Sequence, residues 1–117
     1  MSRFEVLAEN LGFPEGPVVM PDGSIVVTEI AKGCLTRVTE DGASSKLADT
    51  GGGPNGAALG PDGMLYVCNN GGFSWNTDAG LKPDGRAEDN AGGSIQKVDP
   101  GTGKVETLYT ACSGINL

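Results

Sequence analysis

The feature that most constrains the fold is an internal repeat. Residues 15–29 align without gaps on residues 55–69, 40 positions later, and both copies contain Pro-Asp-Gly at the same place. A second match joins residues 33–39 to residues 93–99, 60 positions apart, so the second copy carries 20 additional residues. Repeats bury their apolar residues by stacking one copy on the next. We therefore expect two similar units that pack against each other.

Each copy has the pattern of four short antiparallel strands. Pro21 and Pro61 fix φ at the start of a turn, and Gly23 and Gly63 can take the positive φ that a tight reversal needs, so each Pro-Asp-Gly joins two antiparallel strands. The chain has 20 Gly and 7 Pro, which is typical of a turn-rich all-β protein. The predicted strands are residues 16–20, 24–28, 34–39 and 45–48 in the first copy, and 56–60, 64–68, 94–99 and 105–109 in the second.

Four short antiparallel strands in about 40 residues form the blade of a β-propeller. The sequence therefore predicts one all-β domain, a partial β-propeller with about two four-stranded antiparallel blades. Residues 1–50 hold an outer strand and the first blade, and residues 51–117 hold the second blade with a long insertion at 70–92. We interpret residues 4–8 as the outer strand of a further blade whose other strands lie elsewhere.

Propellers need at least about four blades to close, so we expect this chain to be the N-terminal part of a longer protein. A compact two-blade domain or a self-assembling half-propeller is the alternative. Two blades alone leave apolar faces bare, and self-association through these exposed blade faces is a further expectation.

Charge and residue usage exclude several function classes. A net charge of -7 and a pI near 4.3 argue against nucleic acid or an anionic membrane as partner. The chain has no histidine, which excludes Ser-His-Asp, Cys-His and histidine-zinc chemistry. The three cysteines have no metal-ligand spacing, and no run is long enough to cross a bilayer, so we expect a soluble cytoplasmic protein with reduced thiols.

Two oxygen-bearing side chains occupy equivalent places in the repeat. Glu15 and Asn55 each follow a proline, precede a glycine and open the first strand of a copy. In a propeller the innermost strands line the central channel, so we expect both side chains at its mouth. Carboxylate and carboxamide oxygens suit Ca²⁺, Mg²⁺ or Mn²⁺. Glu and Asn also favour turns and strand ends, and this is the alternative explanation.

The motifs taken together resemble a known family. Their order and spacing are similar to the first two blades of the senescence marker protein / gluconolactonase / luciferin-regenerating family, over residues 4–112. The segments that carry the resemblance are Phe13-Pro-Glu15-Gly-Pro17, the two Pro-Asp-Gly turns, Gly53-Pro-Asn55-Gly56 and Tyr66-Val-Cys-Asn-Asn-Gly-Gly-Phe73.

The resemblance implies a fold, a reaction and a cofactor. It implies a six-bladed ring that hydrolyses a small sugar lactone with one divalent cation, which is Ca, Mg, Mn or Zn. Glu15 matches the family's glutamate metal ligand, and Asn55 matches an asparagine that contacts substrate or, in some branches of the family, the metal. The further ligands and the general base belong to later blades, so the catalytic residues are unknown. We expect the isolated chain to be inactive.

The insertion at residues 70–92 contains the chain's one tryptophan. If it folds over the channel mouth, Trp75 packs against a sugar ring, and Arg86 or Asn69 bonds to substrate hydroxyls. The alternative is a surface loop that Phe73 and Trp75 anchor by burying themselves.

Two other functions fit the same pattern. A propeller can be a non-catalytic binding scaffold, since the fold alone implies no reaction. The same metal site could also serve an esterase or phosphotriesterase.

Overall fold

The computed structural model describes residues 3–110 and is all-β. These residues include no helix at all, and hence no helix able to span a membrane. The ten strands are β1 (Pro14–Val19), β2 (Ile25–Glu29), β3 (Cys34–Val38), β4 (Ser44–Asp49), β5 (Pro54–Leu59), β6 (Leu65–Asn69), β7 (Phe73–Asn76), β8 (Lys82–Arg86), β9 (Ser94–Val98) and β10 (Val105–Tyr109).

The strands form two four-stranded sheets and one hairpin, and all their pairings are antiparallel. The first sheet has the order β1-β2-β3-β4, the second has the order β5-β6-β9-β10, and β7 pairs with β8. The eight predicted strands are confirmed to within two residues at each end. The β7–β8 hairpin inside the insertion is an element that the repeat pattern did not predict.

Both Pro-Asp-Gly turns have the expected geometry. Gly23 has φ 87° and Gly63 has φ 80°, in the positive-φ region that residues other than glycine rarely adopt. In the first turn the N–H of Met20 donates to the Ser24 carbonyl at 2.8 Å, and the second turn repeats this bond at the same length. The turns therefore set the register of β1 with β2 and of β5 with β6.

The core lies between the two four-stranded sheets. Arg37 crosses from one sheet to the other, because its Nη2 donates to the Pro100 carbonyl at 2.9 Å. The buried apolar cluster consists of Met20, Val26, Leu35 and Ala48 from the first sheet and its turn, with Leu65, Val67 and Val98 from the second.

The two sheets stack in the same orientation instead of meeting as mirror images. The second sheet packs its Leu65 and Val67 against the first sheet. The equivalent residues of the first sheet, Ile25 and Val27, lie on its opposite face and are half-buried. Each sheet therefore has two different faces, and one face of each is used in the contact between them.

Residues 4–8 approach the first sheet at its β3–β4 turn, and Phe4 and Val6 are 95% and 72% exposed. A Cβ built on Gly42 would lie 2.8 Å from the carbonyl oxygen of Leu7. The equivalent glycine of the second sheet, Gly103, meets the carbonyl oxygen of Leu47 in β4 in the same way. The backbone at Leu7 thus contacts the β3–β4 turn in the way that the backbone at Leu47 contacts the β9–β10 turn. Residues 4–8 belong to no strand of the described chain, so their role as an outer strand stays a prediction.

The cysteines show no cross-link within the described residues. Cys34 is buried, Cys68 is half-buried, and both are free. Burial raises the pKa of the Cys34 thiol, so it stays protonated and unreactive. Cys112 lies outside the described residues.

Candidate functional site

Glu15 and Asn55 lie at the same end of the molecule. They are the second residues of β1 and β5, two edge strands that pack side by side. A Cβ built on Gly16 would lie 2.9 Å from the Cα of Gly56. Since neighbouring Cα atoms are about 3.8 Å apart, the Cα atoms of Glu15 and Asn55 are at most about 12 Å apart. Two glycines thus allow the close approach of the strands that carry this pair.

The side chains of this pair have little bonding to the rest of the protein. The Glu15 carboxylate is exposed, and its Oε2 accepts one long hydrogen bond, 3.4 Å, from the N–H of Gly16. Across residues 3–110 the Asn55 side chain has no hydrogen-bond partner. The backbone at Glu15 is held more firmly than its side chain, because Thr28 Oγ1 donates a hydrogen bond to the Glu15 carbonyl at 3.0 Å. Both polar groups are therefore available to a ligand.

Glu15 and Asn55 offer the type of oxygen ligand that a hard cation binds, but they offer too few of these ligands. A divalent cation such as Ca²⁺ takes six to eight oxygen ligands, and two side chains supply only a part of them. The described part of the chain has no group of three or more acidic, Cys or His residues that could hold a metal ion. Glu15 and Asn55 can be at most one portion of a metal site.

The insertion reaches this end of the molecule through an aromatic cluster. The Trp75 ring lies 5.2 Å from the Phe13 ring and 5.9 Å from the Phe73 ring, centroid to centroid. Phe13 directly precedes Pro14 and Glu15. These contacts agree with the alternative in which Phe73 and Trp75 anchor the insertion, and stacking of Trp75 on a sugar stays a prediction.

Arg86 lies on the exposed strand β8 of the insertion. Its Nη2 donates a long hydrogen bond, 3.4 Å, to Asn90 Oδ1. Asn90 closes the base of the insertion, because its Nδ2 donates to the Gly72 carbonyl at 2.7 Å and to the Asn70 carbonyl at 3.2 Å. No described contact links Arg86 to Glu15 or Asn55, so its substrate contact also stays a prediction.

Asn69 has a different role from the predicted one. It is buried, and its Oδ1 accepts the N–H of Gly53 and of Gly71, both at 2.9 Å. Its Nδ2 donates to the Gly51 carbonyl at 2.9 Å and to Gln96 Oε1 at 3.0 Å. All its usual bonding capacity is taken, so no atom is left for a substrate hydroxyl. Asn69 instead holds the segment that leads into Asn55.

The sequence reasoning missed Glu29, which is the repeat equivalent of Asn69. Burial raises the pKa of this carboxyl, but hydrogen bonds from Thr36, the Gly12 N–H and Lys32 outweigh it and bring the pKa below its usual value. Glu29 as a whole residue is 3% exposed. A polar residue that ends an apolar strand in both copies of the repeat was the available signal.

No protein-family model matches the chain, and no curated protein matches it significantly.

Proposed function

We propose that this chain forms two neighbouring blades, and part of the channel mouth, of a divalent-metal-dependent sugar-lactone hydrolase of the gluconolactonase type. The observation that carries the proposal is the position of Glu15 and Asn55. They begin equivalent edge strands, lie at the same end of the molecule, and keep their polar groups available.

The stacking of the sheets supports the propeller arrangement. Each sheet presents one kind of face to the next, so further sheets can be added in the same direction with the same contact. The contact of the Leu7 carbonyl with the β3–β4 turn supports it too, because Leu47 of β4 makes the same contact with the next sheet. Repetition of this step around an axis produces a ring of blades with β1 and β5 innermost.

In this proposal each residue of the pair has its own task. Glu15 binds the cation through its carboxylate, and Asn55 bonds to the lactone beside it. A bound divalent cation supplies Lewis-acid polarisation of the lactone carbonyl. The remaining oxygen ligands and the general base come from other blades, because residues 3–110 bring no group of three or more acidic, Cys or His residues together.

The test is hydrolysis of glucono-1,5-lactone by the complete translated product that contains this sequence, with Ca²⁺, Mg²⁺, Mn²⁺ and Zn²⁺ supplied in turn. We expect metal-dependent hydrolysis that Glu15→Gln lowers by at least about tenfold, since a charged ligand is lost. Glu106→Gln is the matched control, because Glu106 is an exposed glutamate on β10, at the outer edge of the second sheet. The 117-residue chain assayed alone should be inactive.

Other outcomes have definite meanings. If Glu15→Gln hydrolyses the lactone as fast as the wild type, the metal role of Glu15 is wrong. Faster hydrolysis of an organophosphate ester than of the lactone indicates the phosphotriesterase alternative. Ligand binding without any hydrolysis indicates a binding scaffold.

A further inference from the structure

We propose that Glu29 and Asn69 are a matched pair of positioning residues, which set the direction of Glu15 and Asn55 by holding the two segments that precede β1 and β5. The significance for catalysis rests on the proposed function, whereas the positioning itself can be measured without it.

Glu29 ties the segment before β1 to the third strand of its sheet. Its Oε1 accepts the N–H of Gly12 at 2.7 Å, and its Oε2 accepts the hydroxyl of Thr36. Gly12 is three residues from Glu15, and Pro14 is the residue that faces Glu29 across the β1–β2 pairing. The carboxylate thus holds the backbone immediately before the candidate metal ligand.

Asn69 joins the same two parts of the second repeat, with its loop contact one position further along the repeat. Its Oδ1 accepts the N–H of Gly53, two residues before Asn55, and its Nδ2 donates to Gln96 on β9. Gln96 is the repeat equivalent of Thr36, 60 positions later. The two repeats therefore use different side chains to make the same connection, from the end of the second strand to the preceding loop and to the third strand.

The segment before β1 needs such a connection because its backbone is strained. Asn10 has φ 63° and Phe13 has φ 57°, which non-glycine residues rarely adopt. Lys32 lies across the segment, with its Nζ 3.0 Å from the Asn10 carbonyl oxygen and 3.2 Å from Glu29 Oε1. Without the acceptor at Glu29, the buried Gly12 N–H loses its partner. The segment then keeps only the backbone hydrogen bonds that its Gly12 and Phe13 carbonyls accept from the N–H groups of residues 31 and 30, at 3.0 and 3.2 Å, so we expect it to shift.

The charge of Glu29 is not required for this task. Asn69 does the same work with a neutral amide, whose oxygen accepts the loop N–H. Glu29→Gln keeps an oxygen acceptor for Gly12, whereas Glu29→Ala removes it. A conservative variant that restores the wild-type behaviour distinguishes positioning through this hydrogen bond from a general need for a negative charge.

Trp75 provides a direct measurement of the segment. It is the one tryptophan of the chain, and its ring contacts Phe13 within the strained segment. We expect Glu29→Ala to shift the Trp75 emission maximum to longer wavelength, because Phe13 no longer covers the indole. Glu29→Gln should keep the wild-type emission. Glu40→Ala, a change of the same type on the exposed β3–β4 turn, is the matched control.

Metal affinity provides the second measurement, on the complete translated product titrated with Mn²⁺ alone. We expect Glu29→Ala to weaken Mn²⁺ binding about tenfold, as substitution of a residue that orients a ligand does, and Glu29→Gln to restore it. If the wild type binds no Mn²⁺ through Glu15, the proposed function fails and the Trp75 emission alone decides the positioning role.

Unchanged Trp75 emission in folded Glu29→Ala overturns the proposal. If that variant does not fold, Thr36→Val takes its place, because it removes one hydrogen bond to the carboxylate and keeps the side-chain volume. Thr36→Val protein that keeps the wild-type sheet content supports the proposal if its Trp75 emission shifts to longer wavelength by less than the emission of an unfolded chain does. Wild-type emission in Thr36→Val overturns it.

Discussion

The two four-stranded sheets have the same strand order and related sequences, yet equivalent residues in them have different surroundings. Leu65 is completely buried, whereas its equivalent Ile25 is half-buried on the free face of the first sheet. The difference comes from stacking, because this face of the second sheet packs on the first sheet, whereas no described sheet covers the same face of the first. Val38 and its equivalent Val98 are both buried, so the place in the stack changes burial at Ile25 but not at every position.

The connections after the second strand of each sheet differ as well. In the first sheet residues 30–33 join β2 to β3, and in the second sheet residues 70–93 join β6 to β9. The long connection has its own hairpin, β7–β8, and an aromatic contact back to Phe13 of the first repeat. The insertion thus links the two repeats at the end where Glu15 and Asn55 lie.

The largest expected effect is on stability, and it comes from alanine substitutions at the equivalent residues Leu65 and Ile25, which lie on the buried and the free face. Leu65→Ala should lower the free energy of unfolding by about 3 kcal/mol, because it leaves a cavity between the sheets. Ile25→Ala should cost about 1 kcal/mol, because the residue is already partly solvated. Urea denaturation followed by circular dichroism measures both. Equal losses would show that the free face of the first sheet is covered in solution.

The two equivalent glycines give the next comparison. Gly42 and Gly103 both have positive φ, so alanine at either costs roughly 1–2 kcal/mol. Gly103→Ala should cost about 3 kcal/mol in total, since its Cβ meets the carbonyl of Leu47 in the paired strand β4. Gly42→Ala meets only the unpaired segment at Leu7, which can move. Thermal unfolding of both variants tests the difference, and a larger loss for Gly42→Ala would mean that residues 4–8 are firmly held.

Removal of the aromatic contact between Phe13 and Trp75, which links the two repeats, should have a smaller effect on stability. Phe13→Ala removes a ring contact of about 1 kcal/mol with Trp75, so the insertion should open more often. Limited trypsin digestion should then cut faster after Arg86, which is exposed in the insertion, with little change after Lys32 in the short connection. Unchanged cleavage at Arg86 would show that the insertion is held by its base at Asn90 alone.

The smallest expected effect is the acid response of Glu29. Its pKa is below the usual 4.5, so the folded protein binds fewer protons than the unfolded chain in acid. The stabilisation is complete above the usual pKa and is lost as the pH falls through the lower folded value. Its equivalent, Asn69, does not titrate.

Glu29→Gln should therefore reduce the loss of stability between about pH 6 and about pH 3 relative to the wild type. Urea midpoints measured across this range test it. The other carboxyls with lowered pKa values are present in both proteins and cancel in the comparison; these are Asp22, Asp41 and Asp62. An identical pH dependence in the two proteins would contradict the carboxylate's contribution.

Much of the fold could be predicted because its signals are local. Pro21 and Gly23 specify a tight turn by their own backbone preferences, and the strands beside them follow. The equivalence of Glu15 and Asn55 was also readable from the repeat. The roles of Asn69 and Glu29 were not, because the partners of a buried polar side chain are distant in sequence: Gly12 is 17 residues from Glu29, and Gln96 is 27 residues from Asn69.

The sequence by itself determined the strands, the turns between them and their repetition, since these depend on φ preferences and on runs of β-branched and apolar residues. Only the tertiary structure decided which face of each sheet is buried, which polar side chains hold the loops, and that the insertion contacts Phe13. Those features depend on how one sheet stacks on the next, and stacking brings together residues whose separation along the chain carries no local signal.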